Sequence, residues 1–452
     1  MPKEVESAVE HQMDRLTAQT RQFLRAAQAG PKLLAAVSGG ADSVCLLLCA
    51  ASLRVEGYQV SAVHVRHDLR DTAARDEAFV QALCEKLDVP FYPVSVRVPR
   101  TGSVENEARQ VRYQAFGQIY RKTGSDALLL AHHRNDQAET VMMRLIRGCG
   151  AEGLSAMKPD SARGGMRILR PLLAVSADEI RSALRESGQE WREDETNQDP
   201  RYTRNYLRHR VVNPLEEHFP GSVGGICRTA ELLAADNDFM STQAEAALSD
   251  TACLEMPCRF LSRAGVLALH PALQRRVIRL FLSGCGRETG FDKTEEIRLA
   301  LTDPPAAVNL DAGDRLLFSP ERIHFVPGNP PEWKVPDGFF RTLPGHRTGD
   351  GKTVQAVPAR LYPLCTVRFA REGDRFQPFG HQRSVPLSRF LIDRKIDRHF
   401  RAYIPLLCME NVVLWIPGVA ASEQLRLRKE EDAVTLAVSG RLPWQAAAGE
   451  EI

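Results

Sequence analysis

Ser38-Gly39-Gly40-Ala41-Asp42-Ser43 is the stretch whose residue types restrict chemistry most narrowly. Adjacent glycines let the backbone come close to a ligand, and free N–H groups at the start of a following helix form an anion site at the positive end of its dipole. A phosphate suits that place. The Lys-Ser/Thr ending of a Walker A loop is absent, so this is a different kind of phosphate loop. Asp42 narrows the reading further. A carboxylate inside a phosphate site repels its ligand unless a divalent cation lies between them, which points to Mg²⁺ with a polyphosphate. A glycine turn with Asp42 merely capping the helix would explain a lone Gly-Gly better than it explains the whole string.

Asp136 and Glu139 are the second constellation. Three apart at a predicted helix start, they share one face and could hold Mg²⁺ or an ammonium group, with Asp42 and Asp136 the candidate metal ligands. Acid that simply favours a helix N-terminus is the plain alternative. His64, His67, His132 and His133 invite a zinc reading that does not hold. Residues three apart leaving a strand do not share a face, and no cysteine or third ligand lies at metal spacing, so these histidines are expected to line a nucleotide pocket or to serve structure. Arg109 and Arg112 lie one turn apart on a predicted helix. They suit a triphosphate or RNA, or else a solvated face paired with Glu105. Asp194, Thr196, Asn197, Asp199, Arg204, Asn205 and Arg208 form a polar run too varied in side-chain type for an ordinary loop.

Short apolar runs alternating with helical patterns must position these groups. Strands are predicted at Lys32–Val37, Gln59–Val65, Phe91–Val98 and Ala127–Ala131, and helices at Ala41–Leu53, Ala74–Leu87, Val104–Tyr120 and Asp136–Ile146, after a helical start at Glu4–Ala27. Strands apolar on both faces and separated by helices call for a doubly wound parallel sheet, with ligands beyond its carboxyl edge. The expected division is an N-terminal extension over 1–31, this α/β domain over 32–214 and a helical middle domain over 215–302. Short strands and a Pro/Gly-rich linker over 303–360 then lead to a small α+β domain over 361–452, with one helix at Val385–Ile396.

Composition agrees with an ordinary intracellular enzyme. The 452 residues are 43% hydrophobic and 26% charged with a net charge of +2, which excludes a disordered or polybasic chain. The longest apolar run, Val44–Ala51, falls far short of the ~18 residues of a membrane span, and the start has no signal-like apolar segment. Ten cysteines without a C-x-x-C pair argue against disulfide, zinc-ribbon or iron–sulfur frameworks. A cytoplasmic location is expected. Only ten of the 59 basic residues are lysine, a bias that base composition of the genome would also produce, so local clusters decide. Arg368–Arg401 holds nine basic residues against four acidic ones, with Phe376, Phe379, Phe390 and Phe400 interleaved, a pattern suited to gripping RNA backbone and stacking on a base.

The string Ser38–Ser43 after the first strand resembles the pyrophosphate loop of the N-type ATP pyrophosphatases, which cleave ATP between its α and β phosphates. With His64-Val65-Arg66-His67-Asp68-Leu69-Arg70, Glu105–Tyr113, Ala131–Thr140 and Glu193–Arg208, the chain is similar to the tRNA(Ile)-lysidine synthetase family over residues 32 to about 215, and in part over 367–426. Arg66 stands where many members have asparagine. The resemblance implies an adenine-nucleotide α-hydrolase type of fold, ATP and Mg²⁺ as cofactors, and L-lysine and the tRNA(Ile) with a CAU anticodon as substrates; a homodimer is compatible with it. It also implies that the carbonyl oxygen at carbon 2 of the wobble cytidine is adenylated with loss of pyrophosphate. Lysine then displaces AMP, so that the tRNA reads AUA instead of AUG and carries isoleucine instead of methionine. On this basis Asp42, Asp136, Glu139, Arg109 and Arg204 are the expected catalytic residues, and Ser38, Gly39, Gly40, Ala41, Asp42, Ser43, His64 and His132 bind ATP. Arg112, Asp194, Asn197, Asn205, Arg208, Arg389, Arg394 and Arg398 are expected to meet the RNA or amino-acid substrate. Asp136 or Glu139 would orient the lysine amine or accept its proton. A tRNA cytidine thiolase of the same superfamily is the nearest rival, but Cys253 and Cys258 lie far from the loop and are wrongly spaced for it. A catalytically silent RNA-binding protein would have no need of Asp42, Asp136 and Glu139 together.

Overall fold

In a computed structural model, residues 12–67, 73–98, 104–193, 203–254, 259–329, 334–344, 349–396, 398–439 and 442 are described. Its first strand explains the layering of the N-terminal part. In β1 (Lys32–Ala36), Leu33 and Ala35 join one buried cluster while Leu34 joins another, because alternate side chains leave a strand on opposite faces. Both faces are therefore covered. On the first lie α1 (Gln12–Ala26), α2 (Ala41–Ser52), the Val80–Cys84 part of α3 (Ala73–Lys86) and α7 (Ala177–Glu186). Against the other pack Tyr113, Phe116 and Ile119 of α4 (Val104–Thr123).

β1 pairs in parallel with β2 (Gln59–His67) and β4 (Ala127–Leu129), in register Leu34↔Ser61 and Leu34↔Leu128. β3 (Phe91–Val96) extends one edge in parallel, β6 (Met166–Leu169) the other, and β5 (Asp160–Arg163) closes the sheet antiparallel, giving the order β3-β2-β1-β4-β6-β5. The doubly wound parallel sheet expected from the sequence is thus present. α5 (Arg134–Ile146) leaves the end of β4, and α6 (Ala151–Leu154) follows it. After β6 come α7, α8 (Thr203–Leu207), a π-helical turn at Arg208–Val212, α9 (Asn213–His218) and the long α10 (Ser222–Thr251).

Helix does not stop at Pro214, which enters α9 directly from the π-helical turn, and the two compact units of the chain divide between Phe239 and Met240. Over 252–262 the second unit differs from the purely helical middle read from sequence. β7 (Ala252–Cys253) and β8 (Phe260–Ser262) form a five-stranded sheet with β9 (Ala307–Asn309), β10 (Arg315–Phe318) and β11 (Arg322–Val326). Residues 307–326, expected on the way to a linker, therefore complete a core with α11 (Arg263–Leu267), α12 (Pro271–Gly284) and α13 (Phe291–Leu299), in which Phe281, Ile297, Leu316 and Ile323 are buried.

β12 (Phe340–Leu343) and β13 (Val354–Pro358) pair with the final strand, β20 (Ala433–Val438). Between them a second sheet is built from β14 (Thr366–Arg368), β15 (Arg375–Phe376), β16 (Val385–Pro386), β17 (Leu406–Met409), β18 (Val412–Ile416) and β19 (Ala420–Ala421). The helix expected at Val385–Ile396 is shorter: Val385 and Pro386 are strand, and α14 runs Leu387–Asp393, followed by α15 (Arg398–Arg401).

Candidate active site

At the carboxyl ends of β1, β2 and β4 opens a cavity of about 890 Å³, lined in part by Ser38, Asp42, His64, His132, Asp136 and Arg204. That volume lies within the range of small-molecule and cofactor sites. Its floor is the loop between β1 and α2. Gly39 has φ +94°, a left-handed conformation that favours glycine, and Gly40 is the N-cap of α2 with no side-chain cap bond, leaving the first-turn N–H groups for a ligand. The Ser43 hydroxyl donates to the Gly40 carbonyl (2.9 Å) and accepts from the Ser38 N–H (3.1 Å), so the two serines close the loop on itself.

Asp42 follows in the first turn of α2. Its Oδ1 is buried without a hydrogen-bond partner among the described residues, and burial pushes its carboxyl above the ordinary range. Beyond it, His133 Nε2 lies 3.6 Å from Asp42 Oδ2 and 3.5 Å from Asp136 Oδ2. His133 also caps α5: its Nδ1 accepts from the Asp136 N–H while its own N–H donates to Asp136 Oδ2 (3.0 Å). The imidazole thus joins the two carboxylates that the sequence motifs present separately. Only the tandem His132-His133 hinted at it.

Asp136 and Glu139 do share a face of α5, as their spacing predicted, but they are occupied. Glu139, fully buried, accepts from Arg204 Nε (2.7 Å) and Arg208 Nε (2.5 Å), and Asp136 Oδ1 accepts from Arg204 Nη2 (2.7 Å). Burial raises the Asp136 carboxyl, yet His133, Arg204 and His132 outweigh it and bring it down to about 2. This differs from the open acid pair expected for a cation. Among the described residues no group of three or more His, Cys, Asp or Glu could hold a metal ion. Asp42, with its orphaned oxygen, is the group that fits Mg²⁺, an ion that keeps water and phosphate as most of its ligands.

His64 and His132 are part of the cavity wall. His64 Nδ1 donates to the Val37 carbonyl (2.8 Å), and burial lowers its pKa. His132 Nδ1 accepts from Arg170 Nε (3.3 Å), with burial chiefly bringing its pKa down to about 3. Arg112 and Asn205 line the cavity. Arg109 rests against Tyr113, its guanidinium 5.1 Å from the ring centre, and its charge acts on His132. Asp194 and Asn197 lie outside the described residues. Arg66, at the position where asparagine is usual, pairs with Glu77 (3.2 Å).

Three family models match the chain: a PP-loop domain over residues 6–215, a "TilS substrate binding domain" over 261–316 and a "TilS substrate C-terminal domain" over 365–444. A tRNA(Ile)-lysidine synthase of Porphyromonas gingivalis is 33% identical, covering 88% of this chain and 92% of its own. Those of Geobacter sulfurreducens (31%; 88% and 91%) and Pseudomonas aeruginosa (33%; 86% and 90%) are similar over nearly the same span. The chain belongs to the tRNA(Ile)-lysidine synthase family. Its membership makes it an ATP-dependent ligase that modifies tRNA, and the segment Ser38–Ser43 lies within the matched PP-loop domain.

Two features of this lysidine synthase bear on the rival readings. Cys45 and Cys49, four apart on α2, are both buried, and the Cys45 thiol is raised by its hydrogen bond with Cys49 and by burial. They are core thiols, unsuited to nucleophilic sulfur chemistry. No helix among the described residues is long and apolar enough to cross a membrane.

In the substrate C-terminal domain, Arg389, Arg394 and Arg398 are exposed, as a backbone-binding surface requires. The aromatic interleaving has another cause: Phe376, Phe390 and Phe400 are buried core residues, and only Phe379 of the four is exposed, beneath Arg426 at 4.5 Å. Arg368 is likewise structural, its guanidinium bonded to the buried Asp374 (2.7 Å).

Proposed function

We propose that this lysidine synthase binds ATP with its pyrophosphate in the loop Ser38–Ser43 and its adenosine toward His64 and His132, then transfers AMP to the carbonyl oxygen at carbon 2 of the wobble cytidine in a CAU anticodon. The observation that carries this reading is the orphaned Asp42 oxygen in the first turn of a helix without a side-chain cap, at the cavity on the carboxyl edge of a parallel sheet. Mg²⁺ held by Asp42 would offset charge on the phosphates when bound.

L-Lysine is the second substrate. Its ammonium is assigned to Asp136, since Glu139 has no exposed surface and is saturated by Arg204 and Arg208. With its carboxyl held near 2, Asp136 remains ionised and orients the amine; it is too weak a base to take the proton. Glu139 fixes the two guanidinium groups of Arg204 and Arg208 beside Asp136 and so holds that carboxylate in place. Arg112 and Asn205 support the base, and exposed Arg389, Arg394 and Arg398 grip tRNA backbone. A cytoplasmic location follows from these substrates.

The test is ATP consumption by the purified protein. Steady formation of AMP and pyrophosphate should require both lysine and a tRNA with a CAU anticodon, and omission of either should stop turnover. AMP production that ignores lysine would overturn the assignment of the second substrate.

A further inference from the structure

A triphosphate needs more positive charge than one magnesium ion supplies, and the cavity's obvious arginines are already committed. Arg204 and Arg208 neutralise Asp136 and Glu139, and Arg66 pairs with Glu77. Two further arginines line the same cavity and have no carboxylate within ion-pair distance among the described residues: Arg181 and Arg192. Neither belongs to the motifs that pointed to the family.

They come from different elements and line the same cavity as the loop Ser38–Ser43. Arg181 is on α7, whose Ile180, Ala183 and Leu184 are buried against the sheet, so the helix is firmly seated; its charge reaches Asp42. Arg192 lies on the segment that crosses the loop. Its backbone N–H donates to the Gly39 carbonyl (2.9 Å), and its guanidinium stacks 4.5 Å over Phe79 of α3. Its Nε is buried with no hydrogen-bond partner among the described residues, a cost that a native site recovers when a ligand supplies the acceptor. The loop is close beneath it: a Cβ on Gly39 would stand 3.9 Å from the Cβ of Arg192.

We infer that Arg181 and Arg192 grip the pyrophosphate portion of ATP from two sides and hold it as the leaving group. As the cytidine oxygen bonds to the α-phosphorus, the bond from that phosphorus to the bridging oxygen breaks and its electron pair leaves on pyrophosphate. The two guanidinium groups meet that charge with charge-assisted, forked hydrogen bonds. This rests on the reading of Ser38–Ser43 as the pyrophosphate site.

Calorimetric titration of the full-length protein with pyrophosphate plus Mg²⁺, and separately with AMP, tests it on wild type, Arg181→Gln, Arg192→Gln, Arg192→Lys and Asp42→Ala. Each glutamine variant should lose about 10-fold or more in pyrophosphate affinity and keep AMP affinity within about twofold, and Arg192→Lys should recover part of the loss. Unchanged pyrophosphate binding in both glutamine variants, with loss in Asp42→Ala, would overturn the grip and leave the loop reading standing. Pyrophosphate binding unchanged in every variant, or absent from wild type, would overturn both. Parallel losses for AMP and pyrophosphate would mark the arginines as structural and also overturn the grip.

Discussion

Arginine does opposite work at the PP-loop cavity and in the C-terminal domain. In the cavity, Arg204 and Arg208 are about three-quarters buried and bonded to carboxylates of 0% and 11% exposure, so each charge has a fixed position and direction. In the C-terminal domain, Arg389 is 71% exposed and its partner Asp393, one helical turn on, 57%. Surface pairs of that kind contribute little to the fold and leave the cation available to a phosphate. On the proposed reading, geometry carries function in the first region and summed charge in the second. The first should therefore fail through single substitutions and the second only through several together.

The largest effect is expected at Asp42. Replacement by alanine or asparagine should lower product formation about 100-fold or more, the loss of a metal-mediated contribution of several kcal/mol to the transition state. Stability should move the other way. Burial raises the Asp42 carboxyl, so the folded state favours its protonated form and the ionised form opposes folding at neutral pH; Asp42→Asn should unfold at the same or a higher temperature. Calorimetry beside turnover checks both, and a variant that is active or clearly less stable contradicts the assignment.

Separating the two acids of α5 sharpens the comparison. Glu139→Gln leaves two guanidinium groups without their buried partner and should cost about 3 kcal/mol of stability, seen in urea unfolding. Asp136→Asn should cost less and act mainly on the lysine KM. Equal effects on stability and KM in both variants would merge their roles.

A smaller effect comes from His132. Its folded pKa of about 3 lies below the ordinary histidine value, so the unfolded chain takes up a proton first as the pH falls below about 6.5. Stability should decline by up to about 1 kcal/mol per pH unit from there toward 3, and His132→Asn should flatten that slope between pH 6.5 and 5.

What could be read in advance follows the same division. Ser38–Ser43 and the pair Asp136/Glu139 were legible because their chemistry is encoded by neighbours in sequence: two glycines before an acid, and two acids one helical turn apart. Arg204 was suspected, but its partner acid Glu139 is 65 positions away, and nothing local says that the two meet. Arg181 lay on a helix that the alternation of strands did not demand. β7 and β8 were missed because segments of two and three residues carry no usable period, and only pairing with β11 makes them strands. The phenylalanines of Arg368–Arg401 misled for a physical reason: a small domain must bury its aromatics, and alternation with arginine is what an amphipathic surface over such a core produces.

The division of labour itself is tested most directly by the triple replacement of Arg389, Arg394 and Arg398 with alanine, measured on full-length tRNA and on an isolated anticodon stem-loop. Binding of the full tRNA should weaken, and the log–log slope of its affinity against salt should flatten by about 0.7–0.9 for each phosphate no longer neutralised. Turnover of the stem-loop should stay at the wild-type level. An unchanged salt slope, or an equal loss on both substrates, would contradict this division and assign these arginines to folding.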